Sequence, residues 1–139
     1  MEQFILHPRL ARDSMYVASL RLCQVRLINN QDFIWFILVP RIDDLTHFID
    51  LSSDHQKILF KEINQVAQIL TQAFSPERLN IASLGNVVEQ MHWHIIVRYQ
   101  DDKAWPDPVW GRSFVPYDAA YQSDIISRFL TVFQNYEAS

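Results

Sequence analysis

One amphipathic run divides the chain. Residues 53–74, SDHQKILFKEINQVAQILTQAF, place Ile58, Leu59, Ile63, Val66, Ile69, Leu70 and Phe74 at three- and four-residue spacing, the stripe of a helix that buries one face. Ser53 with Gln56 three residues on reads as a capping box, and Ser75-Pro76 closes the run because proline cannot continue a helix. The segments on either side favour β-structure, so the apolar stripe finds its partner in a sheet.

Met15 to Ile28, MYVASLRLCQVRLI, alternates Val17, Leu20, Leu22, Val25 and Leu27 with Ser19, Arg21, Gln24 and Arg26, with one phase slip, and reads as one half-buried strand. NNQD (29–32) is turn chemistry, since Asn and Asp tolerate left-handed φ and bond their own backbone. FIWFILVP (33–40) reads as a fully buried strand ended by Pro40, and the two strands form an antiparallel hairpin. RLNIASLG (78–85) and VVEQMHWHIIVRYQ (87–100) are the third and fourth strands. DDKAWPDPVWGRSF (101–114) holds two prolines, a glycine and two tryptophans, an ordered but irregular loop. Asp118 caps a last helix with Ala119, Ile125, Ile126, Phe129, Leu130 and Phe133 on its apolar side. The first dozen residues, around Pro8, start a short helix or lead in. The order β-β-α-β-β-α with short connections predicts one α+β domain over residues 1–139: an antiparallel sheet of two hairpins, with the long helix packed on one face.

Composition removes several function classes. A net charge of −4 and a pI near 5.6 argue against a nucleic-acid partner or a polybasic membrane contact. Two glycines, Gly85 and Gly111, cannot build a Walker loop or a GxGxxG dinucleotide turn. The single cysteine, Cys23, allows no intrachain disulfide or CxxC zinc knuckle and reads as a small buried hydrophobe. The longest apolar run, Phe33 to Pro40, falls far short of the roughly 20 residues of a bilayer span, and the N-terminus lacks a signal-peptide pattern. The expectation is a soluble, cytoplasmic protein.

Chemistry concentrates in the fourth strand. Successive side chains on a strand point to opposite faces, so Gln90, His92 and His94 share one face, each about 6.6 Å from the next. Met91, Trp93 and Ile95 share the other, which a helix should cover. Polar groups at a sheet centre need partners. Three readings are open. The polar face lies in solvent; or His92 and His94 chelate zinc with a third ligand among His7, His47, His55 and Glu89, none obviously placed for it; or one imidazole, fixed as a tautomer through Nδ1, offers its Nε2 lone pair to an electrophile.

NVVEQMHWHIIVR resembles the signature of the histidine triad (HIT) superfamily, with alternating histidines on a strand followed by apolar residues. RLINNQDFIWFILVPR resembles the family's first hairpin, and DDLTHFIDLSSDHQKILFKEINQVAQIL the turn and long helix that follow it. LNIASLGNVVEQ resembles the approach to the triad strand, so residues 15 to 99 are covered in order. AWPDPVWG is similar to the Trp-rich tail of a bacterial HIT subgroup.

The resemblance implies chemistry at an α-phosphate. His92 stands at the position that attacks phosphorus and becomes nucleotidylated, and His94 at the third histidine, which bonds the phosphate region. Asn86 matches a position that contacts phosphate oxygens, and Asn29, with Asn30 as the alternative, the one that bonds the ribose hydroxyls. Leu27 and Phe33 would line the base pocket. The resemblance also implies a homodimer, a nucleotide as the small-molecule substrate and no required cofactor, with Mg²⁺ accompanying a polyphosphate substrate. Two positions depart. Gln90 stands where the first triad histidine is expected; an amide can orient a neighbour but cannot shuttle a proton. Val97 stands where many relatives have proline, which lets the strand continue. Trp105 and Trp110 are left between closing over a substrate and pinning the tail.

Overall fold

The computed structural model describes residues 3–138. A short helix α1 (Pro8–Asp13) leads into strands β1 (Ser14–Ser19), β2 (Cys23–Ile28) and β3 (Ile34–Pro40). A 3₁₀ turn at Phe48–Asp50 precedes α2 (Ser53–Phe74), which is followed by β4 (Arg78–Ser83), β5 (Trp93–Arg98) and α3 (Ala119–Ala138). All five strands pair antiparallel in the order β1-β2-β3-β5-β4. The expected antiparallel sheet with helices is therefore present, with one strand more than expected.

The extra strand arises inside Met15–Ile28, which is two strands rather than one. The chain turns between Ser19 and Cys23, where Leu20 N–H donates to Cys23 O at 2.8 Å. This turn contains no Gly, Pro, Asn or Asp. Two of its buried backbone donors are met from elsewhere: the buried Glu62 carboxylate of α2 accepts from Leu22 N at 2.9 Å and Cys23 N at 2.8 Å. A turn stabilised from 40 residues away leaves only a phase slip in the local pattern.

Helix α2 begins one residue earlier than the capping box suggests. Ser52 is the N-cap and accepts from His55 N at 3.1 Å, while Gln56 Nε2 donates to Leu51 O at 3.0 Å. It ends as expected, with Ser75 in the left-handed region at φ 48° ahead of Pro76. Asp118 Oδ2 accepts from Tyr121 N at 3.1 Å and so caps α3.

Both long helices cover one face of the sheet. Leu59, Ile63, Val66, Ile69 and Leu70 of α2 and Ile125 and Phe129 of α3 pack with Val25, Leu27, Phe36, Leu38, Ile95 and Val97 in a single core. Phe36 stacks on Phe129 at 5.0 Å between ring centroids. Cys23 is fully buried in this core, and burial raises its thiol pKa, the behaviour of an inert packing residue. No helix among the described residues is long and apolar enough to cross a membrane.

The opposite face presents Trp35, Ile37, Val39 and Ile96, and the 101–114 loop and α1 cover it. Arg98, 2% exposed, anchors that loop. Its guanidinium pairs with Asp102 at 2.8 Å and donates to Asn80 Oδ1 and to Asp107 O, both at 2.8 Å. Asp102 in turn accepts from the backbone N–H groups of Tyr99, Ala104 and Trp105. This buried network folds the Trp-rich loop back over the face that carries His94.

Candidate active site

Strand β5 starts at Trp93, so Gln90, Met91 and His92 lie in the approach to it rather than within it. Met91 N donates to Leu45 O at 2.9 Å, which holds the approach against the loop after β3. The expected division of faces is kept. Met91 and Trp93 lie on the helix side, where Trp93 contacts the rings of Phe48 and Phe60, and His92 and His94 lie on the other.

The two histidines are buried, 8% and 6% exposed, so their face does not lie in solvent. Their ring centroids are 4.9 Å apart with planes at 68°. Each ring is fixed in a different tautomer. His92 Nδ1 lies 2.7 Å from the carbonyl oxygen of Gln90. A carbonyl can only accept, so Nδ1 carries the proton and Nε2 keeps its lone pair. His94 Nδ1 accepts from Trp35 Nε1–H at 2.9 Å, which in the neutral ring places the proton on Nε2. One ring thus offers a lone pair and its neighbour a donor.

Burial keeps both rings neutral. It lowers the pKa of His92, against the opposing effect of the Gln90 carbonyl, and nearby His7 lowers it further. Burial first, and His92 second, push His94 down to about 3.

Both histidines line a cavity of about 210 Å³. Its apolar wall comes from Leu10, Ile28, Trp35, Val88, Trp110 and Phe114, and its polar groups are Arg9, Asp13 and Asn86 together with the histidines. Trp35 is the hub of the wall, packing edge-on against Trp110 at 6.2 Å and Phe114 at 5.7 Å. Trp110 also meets His94 at 5.3 Å, so of the two loop tryptophans it is the one at the site. Trp105 instead packs under the Arg98 guanidinium at 5.6 Å.

The sequence-predicted residues divide. His92, His94 and Asn86 share the cavity. Asn86 is presented just after Gly85, whose φ of +73° suits a residue without a Cβ. Asn29 does not line the cavity; its Oδ1 accepts from Tyr117 N at 2.9 Å and ties the start of α3 to the β2–β3 turn. Asn30, 1% exposed, likewise bonds backbone, accepting from Asp32 N at 3.2 Å and Val115 N at 3.4 Å. Leu27 faces the helices, and Phe33 packs below the Arg112 guanidinium outside the cavity lining.

The Gln90 side chain is committed elsewhere. Its Oε1 accepts from His7 N at 2.8 Å and its Nε2 donates to Ile5 O at 3.0 Å, so both ends of the amide hold the segment before α1. A second cavity of about 770 Å³ adjoins, sharing Asn86 and Val87 and lined also by His7, Asp43, Asp44, Glu89 and Gln90. Among the described residues no group of three or more His, Cys, Asp or Glu side chains is placed to hold a metal ion, so the zinc reading finds no third ligand.

Sequence reasoning missed Arg9, Leu10, Asp13 and Trp35. Trp35 was recoverable: alternation from Trp35 through Ile37 to Val39 sets these three apart from Phe36 and Leu38, but a strand buried on both faces hides which side meets the site. Nothing local marks the α1 residues, which lie some 80 positions from the histidines.

The family model of the HIT domain matches residues 10–101. A histidine triad protein from Sinorhizobium meliloti 1021 is 38% identical, with 92% of this chain and 96% of that one covered and a TM-score of 0.89. A second, from Bradyrhizobium japonicum, is 38% identical over 94% of this chain and 98% of that one, with a TM-score of 0.90. A third, from Marinobacter aquaeolei VT8, is 37% identical over 96% and 98%, with a TM-score of 0.91. No curated protein matches. The domain match spans most of the chain and these likenesses nearly all of it: the chain belongs to the histidine triad family.

Proposed function

We propose that this protein is a nucleotide-binding hydrolase or transferase that acts on the α-phosphate of a nucleoside 5′-phosphate derivative through a nucleotidyl-histidine intermediate. The observation that carries the proposal is the 2.7 Å contact between His92 Nδ1 and the Gln90 carbonyl, which leaves a neutral ring with its Nε2 lone pair at a cavity. In the first step His92 Nε2 forms a bond to phosphorus, and the bond from phosphorus to the leaving group breaks with its electron pair on the leaving group. Water then cleaves the N–P bond, releasing the nucleoside monophosphate and restoring His92. His94 Nε2–H and Asn86 bond the phosphoryl oxygens, and the apolar wall around Trp35 takes the base.

Gln90 stands where the resemblance expects the first triad histidine. It fixes the nucleophile through its backbone and supplies no proton to the leaving group. The nucleophile needs no metal, and Mg²⁺ accompanies the substrate when that is a polyphosphate. Asp43, Asp44 and Glu89 around the adjoining cavity suit a polyphosphate leaving group only in that metal-bound form. The protein works in the cytoplasm as a homodimer. Ile81, 44% exposed on edge strand β4, supports such pairing, as do Phe60 and Ile49, 49% and 83% exposed.

Incubation with a panel of adenylated compounds and dinucleoside polyphosphates should give an acid-labile adduct on His92 and released nucleotide. His92→Asn should abolish both and retain nucleotide binding. Wild-type turnover by His92→Asn would disprove the mechanism. A second reading, a nucleotide-binding regulatory protein with weak or no turnover, is favoured by one observation: the Gln90 amide is fully engaged with Ile5 and His7 and has no free group for a substrate. Binding across the panel with no adduct and no product would establish that reading instead.

A further inference from the structure

The site has little to meet a phosphate's charge. His92 and His94 are neutral and Gln90 carries none. Among the described residues, the adjoining cavity is lined by three carboxylates and no lysine or arginine. Among the described residues lining the catalytic cavity there is one full cation, Arg9.

Arg9 is held there by a short chain of bonds that begins at Gln90. Gln90 Oε1 accepts from His7 N at 2.8 Å. His7 is the N-cap of α1, and its Nδ1 accepts from the backbone N–H of Arg9 at 3.0 Å. Pro8 follows the cap, where its fixed φ suits the first helical turn. Among the described residues the Arg9 side chain makes one long ion pair, to Asp13 at 3.8 Å, and Asp13 is held more closely by Arg12 through bonds of 2.7 and 3.0 Å. Arg12 is thus the closer partner of Asp13, the one carboxylate among the described residues lining the cavity, and Arg9 is held only by the longer contact.

We propose that Arg9 is the phosphate-binding cation of this site, brought to it by an N-terminal arm that the Gln90 amide clamps. The proposal rests on the nucleotide reading above and adds to it a residue outside the histidine strand. Gln90 acts on both halves of the site: its carbonyl sets the lone pair of His92, and its amide positions the segment that carries the charge. It is a positioning residue, whereas Arg9 touches the ligand.

The test compares nucleotide with nucleoside. Calorimetry first finds which of AMP, GMP, CMP and UMP the wild-type protein binds, and then measures that nucleotide and its parent nucleoside on each variant. Arg9→Ala should weaken the monophosphate by about tenfold, the scale of one lost charge-assisted bond, and leave the nucleoside unchanged. Arg9→Lys should recover part of the loss. Gln90→Ala should weaken the monophosphate to a similar degree, and the double variant should be no worse than either alone, because both act through one cation. Equal monophosphate affinity in Arg9→Ala and wild type would overturn the proposal and leave the function standing. Additive losses in the double variant would overturn the clamp. Binding of none of the four monophosphates by the wild type would overturn the functional reading itself.

Discussion

Trp35 Nε1 donates to His94 Nδ1 at 2.9 Å, and both groups are buried. The bond joins β3 to β5 on the site face, where Ile37 pairs with His94 and Trp35 with Ile96. It also decides which nitrogen of His94 holds the proton. Trp35→Phe keeps an aromatic ring in the wall and removes the donor. His94 Nδ1 is then buried without a partner, which costs about 1–3 kcal/mol. The ring should also lose its fixed tautomer. Urea unfolding should show the first effect and ring ¹⁵N shifts the second. Unchanged ¹⁵N shifts in Trp35→Phe would mean that something other than the indole fixes His94.

The burial that keeps His94 neutral makes the fold sensitive to acid. Its pKa lies near 6.5 when exposed and is pushed down to about 3 in the folded chain. Between those limits the unfolded state binds a proton that the native state does not. The native state is therefore undisturbed above about pH 6.5 and loses stability as pH falls below it, by up to about 1.4 kcal/mol per pH unit. Urea midpoints between pH 7 and pH 5 should fall steeply in the wild type and less steeply in His94→Asn. Parallel slopes would show that His94 is not the group responsible.

Much of this arrangement was legible in the chain. The alternation in VVEQMHWHIIVRYQ placed Met91 and Trp93 toward the helices and His92 and His94 away from them, because a two-residue period survives wherever one face is apolar and the other polar. The stripe of α2 and the caps at Ser75 and Asp118 were legible for a similar reason, since their causes lie within a few residues. Long-range causes were not. The Ser19–Cys23 turn depends on Glu62, and Asn29 looked like a ligand residue while its partner is the backbone of Tyr117. Gln90 is the clearest case. The sequence shows an amide beside two histidines, and only the fold shows that it reaches Ile5 and His7.

The Glu62 contact gives a prediction separate from the site. Each carboxylate oxygen accepts one backbone N–H of the β1–β2 turn, and Glu62 is 5% exposed. Glu62→Gln keeps the shape and turns one oxygen into a donor that faces another donor. The variant should lose about 2–3 kcal/mol, read as a lower urea midpoint at unchanged slope. Nucleotide affinity should not change, because Glu62 lies on the helix side of the sheet. A loss below about 0.5 kcal/mol, the range of ordinary surface substitutions, would show that the turn does not need the carboxylate.

Trp110 gives the opposite pattern. Its ring lines the cavity against Trp35 and His94, and its Nε1–H is buried with no acceptor among the described residues. A buried donor without a partner costs free energy, and a ligand that supplies an acceptor recovers it. Trp110→Phe preserves an aromatic ring and removes the donor. The unliganded variant should be as stable as the wild type or slightly more so. Affinity for a nucleoside monophosphate should fall about five- to tenfold, the loss of one good hydrogen bond. Both quantities can be followed by thermal unfolding with and without nucleotide, since a ligand that binds only the folded state raises the midpoint in proportion to its affinity. An equal nucleotide-induced rise in Trp110→Phe and wild type would show that the indole N–H takes no part in binding and that Trp110 serves only as the wall.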